Sequence, residues 1–198
     1  YIRAKATPID KRDPRKLILH AHRDGNTFLP YYVIKDFDLV SHLVGYTPVP
    51  MAVDTCNYTS RFYSRVHEPM SGESALNLYR DAFVALDPYT HSVQGRASME
   101  FAALGLPCIG FTNVEAQKRC FPSLTVNPLA TNIPAMRRML YRLLNDEDFY
   151  RRVSEEAVKA VEYYSLENSK RRFMKFLGFE TEGNGRVIVP KMRVVHDA

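Results

Sequence analysis

Cysteine is scarce in this 198-residue chain, with three thiols at Cys56, Cys108 and Cys120. Three scattered thiols make neither a disulfide framework nor a zinc site, and their odd number fits a reducing, cytoplasmic setting. No apolar run approaches the ~20 residues needed to span a bilayer. No signal-peptide pattern opens the chain, and a start at Tyr1 without methionine is expected of a piece of something longer. Internal repeats and low-complexity runs are absent as well. No Ser-His-Asp, Cys-His or paired-metal spacing stands out, which argues against a hydrolase or a metalloenzyme. The triplet Asn57-Tyr58-Thr59 matches a glycosylation acceptor, but so short a pattern carries little weight.

What remains is an ordinary globular balance of 25% charged and 45% hydrophobic residues, enough for one α/β domain with a real core. The net charge of +5 suits an anionic ligand without choosing one. Arg137, Arg138, Arg151, Arg152, Arg171 and Arg172 fall on expected helices, where a solvated face explains them. Basic helices at Met136 to Arg142 and Lys170 to Lys175 would allow nucleic-acid binding. No aromatic-basic motif of a known reader accompanies them, so nucleic acid is disfavoured.

The chain is organised around Ala82 to Phe111. Two short apolar runs, Ala82 to Leu86 and Pro107 to Phe111, lack strict alternation, as strands covered on both faces do. Between them Gly95 and Arg96 open a helix that stops near Gly105, with Pro107 just beyond. A strand, a glycine turn and a helix N-terminus make an anion site, because unpaired N–H groups and the helix dipole point the same way.

Earlier, residues 1–15 read as a linker or lead-in and Lys16 to His22 as a buried strand. The apolar spacing of Val33, Phe37, Val40 and Val44 predicts a helix over Phe28 to Val44. Strands are expected at Val49 to Asp54 and Ser60 to Val66. A helix capped by Ser71 or Ser74 is expected to run to Arg80. After the central unit come a loop at Thr112 to Pro122, a strand at Ser123 to Val126 and a helix at Pro134 to Leu144. Helices over Asp146 to Tyr164 and from Ser165 to Gly178 follow, and then a tail, 179–198, with a strand-like patch at Arg186 to Val189. Strand-helix alternation implies a doubly wound, Rossmann-like parallel α/β sheet over residues 16–178. Ligands of such sheets bind beyond the carboxyl ends of the strands. That edge holds Arg23 to Asn26, Asp54 to Asn57, Asp87 to Arg96 and Thr112 to Gln117. Of His20 and His22, one is expected in the core and one at the cleft, His91 reads as a solvated loop residue, and Asp87-Pro88 reads as a turn.

The run Gly95 to Pro107, GRASMEFAALGLP, resembles the donor-site signature of retaining GT-B glycosyltransferases, the glycogen- and sucrose-synthase-like group. Glu100, Gly105 and Pro107 fall on the second glutamate, the glycine and the proline of that signature. The flanks agree, from Asn77 to Val84 before it and from Ser123 to Asp146 after it, so the resemblance covers about residues 16–177. It implies one nucleotide-binding half of a GT-B architecture, which binds a nucleotide diphosphate-sugar and transfers the sugar to an unknown acceptor. An N-terminal acceptor domain is implied as partner, and neither metal nor other cofactor is required.

By the same resemblance Glu100 accepts bonds from the ribose hydroxyls. Backbone N–H groups of Gly95, Arg96 and Ala97 hold the diphosphate, with Arg96 and Ser98 as side-chain donors, and Arg23 neutralises the leaving diphosphate. Two positions depart from the family. Ser92 stands where the first glutamate would reach the donor sugar, and a hydroxyl bonds more weakly than a carboxylate. Phe28 stands where a lysine is expected, with Lys35 as a distant stand-in. Asn113 and Glu115 are further loop residues that could approach the donor. A degenerate GT-B-like module binding nucleotide or protein without turnover is the alternative, and a nucleotide-sugar epimerase is another.

Overall fold

The computed structural model describes residues 5–20, 28–44, 62–67, 70–129, 132–181 and 187–188. Six parallel strands form one sheet in the order β3-β2-β1-β4-β5-β6, from β1 (Asp13–His20), β2 (Val40–Val44), β3 (Arg65–Val66), β4 (Ala82–Asp87), β5 (Cys108–Phe111) and β6 (Thr125–Val126). This is the doubly wound order, with its switch point between β1 and β4. The two central strands are apolar because helices cover both faces. Leu17, Ile18, Val84, Ala85 and Leu86 have no exposed surface.

The helices are α1 (Phe28–Ile34), α2 (Gly72–Tyr79), α3 (Arg96–Ala103), α4 (Glu115–Cys120), α5 (Ile133–Asn145) and α6 (Glu147–Val161). Ser71 caps α2 by accepting from the Ser74 amide, and Tyr79 at the other end meets Phe101 of α3 edge-on at 5.0 Å. At the end of α3, Gly105 (φ 63°) takes the left-handed conformation. Its amide bonds Ala102 and that of Leu106 bonds Phe101, the 5→2 and 6→1 pair that closes a helix. Helix α6 then locks this region. Tyr150 Oη donates to the Phe83 carbonyl at 2.7 Å, and Ser154 Oγ donates to that of Gly105 at 2.6 Å. Each fully buried ring in this layer, such as Phe101, contributes on the order of 1.5–3 kcal/mol. Arg137 ties α5 to α1 through Asp36 (2.8 Å) and the carbonyls of Tyr32 and Val33.

Residues 2–161 form one compact unit, and a second begins at Glu162. The second holds α7 (Leu166–Phe176), capped by Ser165, and an antiparallel pair of β7 (Glu180–Thr181) with β8 (Val187–Ile188). The strand-like patch in the tail is thus a paired strand.

Several expectations are corrected. The helix expected over Phe28 to Val44 ends at Ile34, and Val40–Val44 is β2, paired with Lys16 to His20 of β1. The valines at helical spacing are equally good strand formers, and the open edge of β1 decides for strand. The loop expected at Thr112 to Pro122 contains α4, whose Glu115 at the start and Lys118 and Arg119 at the end complement the helix dipole. Strand β3 is shorter than expected, with Tyr63 buried before it. Helix α6 gives way to a 3-10 turn, Glu162–Tyr164. Asp87 belongs to β4 rather than to a turn. The strand expected at Val49 to Asp54 lies outside the described residues.

Candidate functional site

Strand β4 delivers the chain to the switch point, and residues 88–95 then cross to α3. This crossing is held down against the start of α4. Asn113 Nδ2 donates to the carbonyls of Tyr89 (2.8 Å) and His91 (2.6 Å). The Val93 amide bonds the Asn113 carbonyl, and the amides of Glu115 and Ala116 bond Val93 and Gln94. Asn113 therefore staples the loop that leads into α3. Glu115 pairs with Lys118 (3.1 Å) and Arg119 (3.5 Å), and the Lys118 bond first of all lowers its pKa.

Gly95 ends the crossing at φ 89°, as the residue before α3. A Cβ there would lie 2.3 Å from Val114 Cγ1, so the position excludes any side chain twice over. No side chain caps the helix at this residue, and the N–H groups of its first turn are the kind that bind anions. Ala97 and Ser98 are buried behind the turn, whereas Arg96 is exposed.

One turn on, Glu100 is buried, 7% exposed overall. Arg96 Nε donates to its Oε1 at 2.7 Å, joining two residues of the expected site across a single turn. The arginine reaches further: its Nη2 would stand 3.2 Å from a Cβ on Gly72, at the start of α2. Nearby, burial first and then the charges of Glu100 and Asp87 push the Tyr79 hydroxyl above its usual range.

Ser98, expected as a ligand donor, instead faces inward with no exposed surface. Its Oγ donates to Asp87 Oδ2 at 2.9 Å and lies 3.3 Å from Gln117 Oε1. Gln117, wholly buried on α4, donates to the Cys108 carbonyl at 2.8 Å. Asp87 Oδ1 in turn faces His20 Nδ1 at 3.6 Å, across the ends of β4 and β1. Asp87, Gln117 and Asn113 were not singled out from sequence for these roles. The legible signal is a carboxylate and an amide placed next to the apolar run of a central strand. Ser92 and His91 are exposed on the loop, and Arg23 lies outside the described residues. Phe28 opens α1, and Lys35 is exposed just after it.

No protein-family description and no curated relative matches the chain. Solved structures do. TarM superposes with a TM-score of 0.64 over 90% of this chain at 13% identity. An α-glucosyltransferase in complex with UDP and DNA follows at 0.63 over 88% and 9%. The catalytic domain of cholesterol-α-glucosyltransferase from Helicobacter pylori gives 0.61 over 77% and 11%. The fold is that of a GT-B glycosyltransferase half. The chain spans 37% of TarM and 53% of the α-glucosyltransferase, and all of the cholesterol-α-glucosyltransferase domain. Identities this low speak to fold alone. Among the described residues, no cluster of three metal-ligating side chains and no helix long and apolar enough to cross a membrane occurs.

Proposed function

We propose that this chain is the donor-binding half of a retaining glycosyltransferase, which moves a hexose from a nucleoside diphosphate-sugar to an acceptor. The observation that carries the reading is a buried carboxylate, Glu100, one turn beyond an uncapped helix N-terminus at the switch point of the sheet. Burying a carboxylate is costly, and two vicinal ribose hydroxyls would offset that cost alongside Arg96. Arg96 holds Oε1 and so orients the group. The neighbours support a UDP-type donor, since the α-glucosyltransferase structures contain UDP or UDP-glucose.

The first-turn amides of α3 receive the diphosphate, and Arg23, which follows β1 in sequence, adds positive charge. These groups stabilise the leaving diphosphate as its charge develops, so the step requires no metal. Ser92, exposed on the loop before Gly95, bonds a donor-sugar hydroxyl more weakly than a carboxylate would. Acceptor recognition falls to an N-terminal half, and the buried thiols Cys108 and Cys120 suit a cytoplasmic, reducing setting.

Calorimetric titration with UDP, GDP and ADP and their sugars, repeated with Glu100→Gln, tests the reading. Loss of a charge-assisted bond of about 1.5–3 kcal/mol should weaken the preferred nucleotide roughly ten- to a hundredfold. Failure of every nucleotide to bind, or equal binding by the variant, would sink it.

A further inference from the structure

Two neighbouring side chains at the donor edge carry polar atoms that the protein itself leaves unbonded. Helices α2 and α3 each precede a strand of the same parallel sheet, β4 and β5, so both start at its carboxyl edge. They meet at two levels. Near their starts, Arg96 Nη2 would stand 3.2 Å from a Cβ on Gly72. Lower down, the Tyr79 ring meets Phe101 edge-on at 5.0 Å. Glu100 lies between these levels, one turn from Arg96 and one residue before Phe101.

Tyr79 is 2% exposed, which suits its ring but not its hydroxyl. Long side chains on a helix lean toward its N-terminus, and the hydroxyl accordingly senses Glu100, Asp87 and Arg96, all within one turn of the carboxyl edge. Burial first, and then Glu100 and Asp87, raise its pKa, so at neutral pH it keeps a proton to donate. Among the described residues no protein group bonds this hydroxyl. Glu100 Oε1 is held by Arg96, and Oε2 has no protein partner among them either. Neither atom is sealed from solvent. A buried tyrosine ordinarily finds a partner for its O–H, and a ligand at this edge supplies one.

We propose that Tyr79 is a ribose-reading residue, whose hydroxyl donates to one of the two ribose hydroxyl oxygens beside Glu100 and so favours a nucleotide with both in place. The inference rests on the donor-site reading and deepens it with a second ligand group, from a different helix. Glu100 accepts from the diol in that reading, and a phenol that donates to the diol complements it.

Tyr79→Phe removes the oxygen and keeps the ring on Phe101. Calorimetric titrations of the parent and this variant use UDP, 2′-deoxy-UDP and 3′-deoxy-UDP, or the same three forms of whichever base the titrations above select. The variant should bind the ribonucleotide roughly two- to tenfold more weakly, the share of one neutral hydrogen bond. Parent and variant should bind alike the deoxy form that lacks the contacted oxygen, because that bond is already gone. The urea midpoint should stay at the parent value or rise, since the hydroxyl has no protein bond to lose. An equal loss across all three ligands, or a clear fall in the midpoint, marks a structural role and overturns the proposal. A parent protein that binds no nucleoside diphosphate overturns the donor-site reading, and this inference with it. Ribonucleotide binding indifferent to Tyr79 overturns the inference alone.

Discussion

Alanine at Gly95 would meet two separate obstacles, and their sizes follow from the structure. The backbone there has φ 89° and ψ 68°, left-handed geometry that costs an L-residue about 1–2 kcal/mol. The new Cβ would also stand 2.3 Å from Val114 Cγ1, and 3.4 Å from the Cβ of Ala116. Val114 is fully buried, so relief requires an off-rotamer side chain or a shifted loop, about 1–3 kcal/mol more. Gly95→Ala should therefore lose roughly 2–5 kcal/mol, a large part of the ~5–15 kcal/mol that holds a domain together. Val114→Ala removes Cγ1 but leaves the backbone geometry as it is. The double variant should recover only the steric share, a favourable coupling of about 1–3 kcal/mol. Urea denaturation of the four proteins, with m unchanged across the set, measures both numbers. A Gly95→Ala loss below about 0.5 kcal/mol, or no coupling to Val114, would refute the reasoning.

Arg12 is 5% exposed and donates to the carbonyls of Ala82 (2.9 Å), Thr7 (2.9 Å) and Leu104 (2.6 Å). Arg12→Met should cost about 2–4 kcal/mol in urea, since it orphans buried acceptors. Nucleotide affinity measured on the folded fraction should stay at the parent level. His42, stacked on His67 with Nδ1 3.0 Å from its Nε2, has its pKa lowered from 6.5 to about 4, by burial first and then by Lys16, His67 and Arg65. Between those values the unfolded chain binds the proton that the native imidazole refuses. Stability present at neutral pH is thus lost as pH falls from 6.5 toward 4, by on the order of 2 kcal/mol. His42→Asn should flatten that slope in melts between about pH 4.5 and 6.5, and an unchanged slope would contradict the assignment.

Much of the central unit was legible because its signals are short-range. Gly95, Glu100, Gly105 and Pro107 lie within one helix and its caps, and the apolar strands flanking them have distinct lengths. Ser165 caps the helix that sequence assigned to it, and Ser71 is the cap of the two serines, Ser71 and Ser74, that sequence left open for α2. Segments whose state is decided elsewhere were not legible. Val40–Val44 fits a helix by its spacing and a strand by its β-branched residues, and only the neighbouring edge of β1 selects between them. Glu115–Cys120 is too short to announce itself as a helix, since so few turns give little periodicity.

The candidate site divides along the same line. Sequence alone determined that a glycine precedes α3, that Glu100 follows one turn later beside Arg96, and that anions suit such a helix end. Local backbone geometry and helical period suffice for those statements. Only the tertiary structure decided that Ser98 points inward to Asp87, that Gln117 and Asn113 bind the floor and the loop, and that His20 meets the carboxylate. Those contacts join residues far apart in the chain. They exist because parallel pairing in the order β2-β1-β4-β5 brings the ends of separate strands together, and strand order is a property of the assembled sheet.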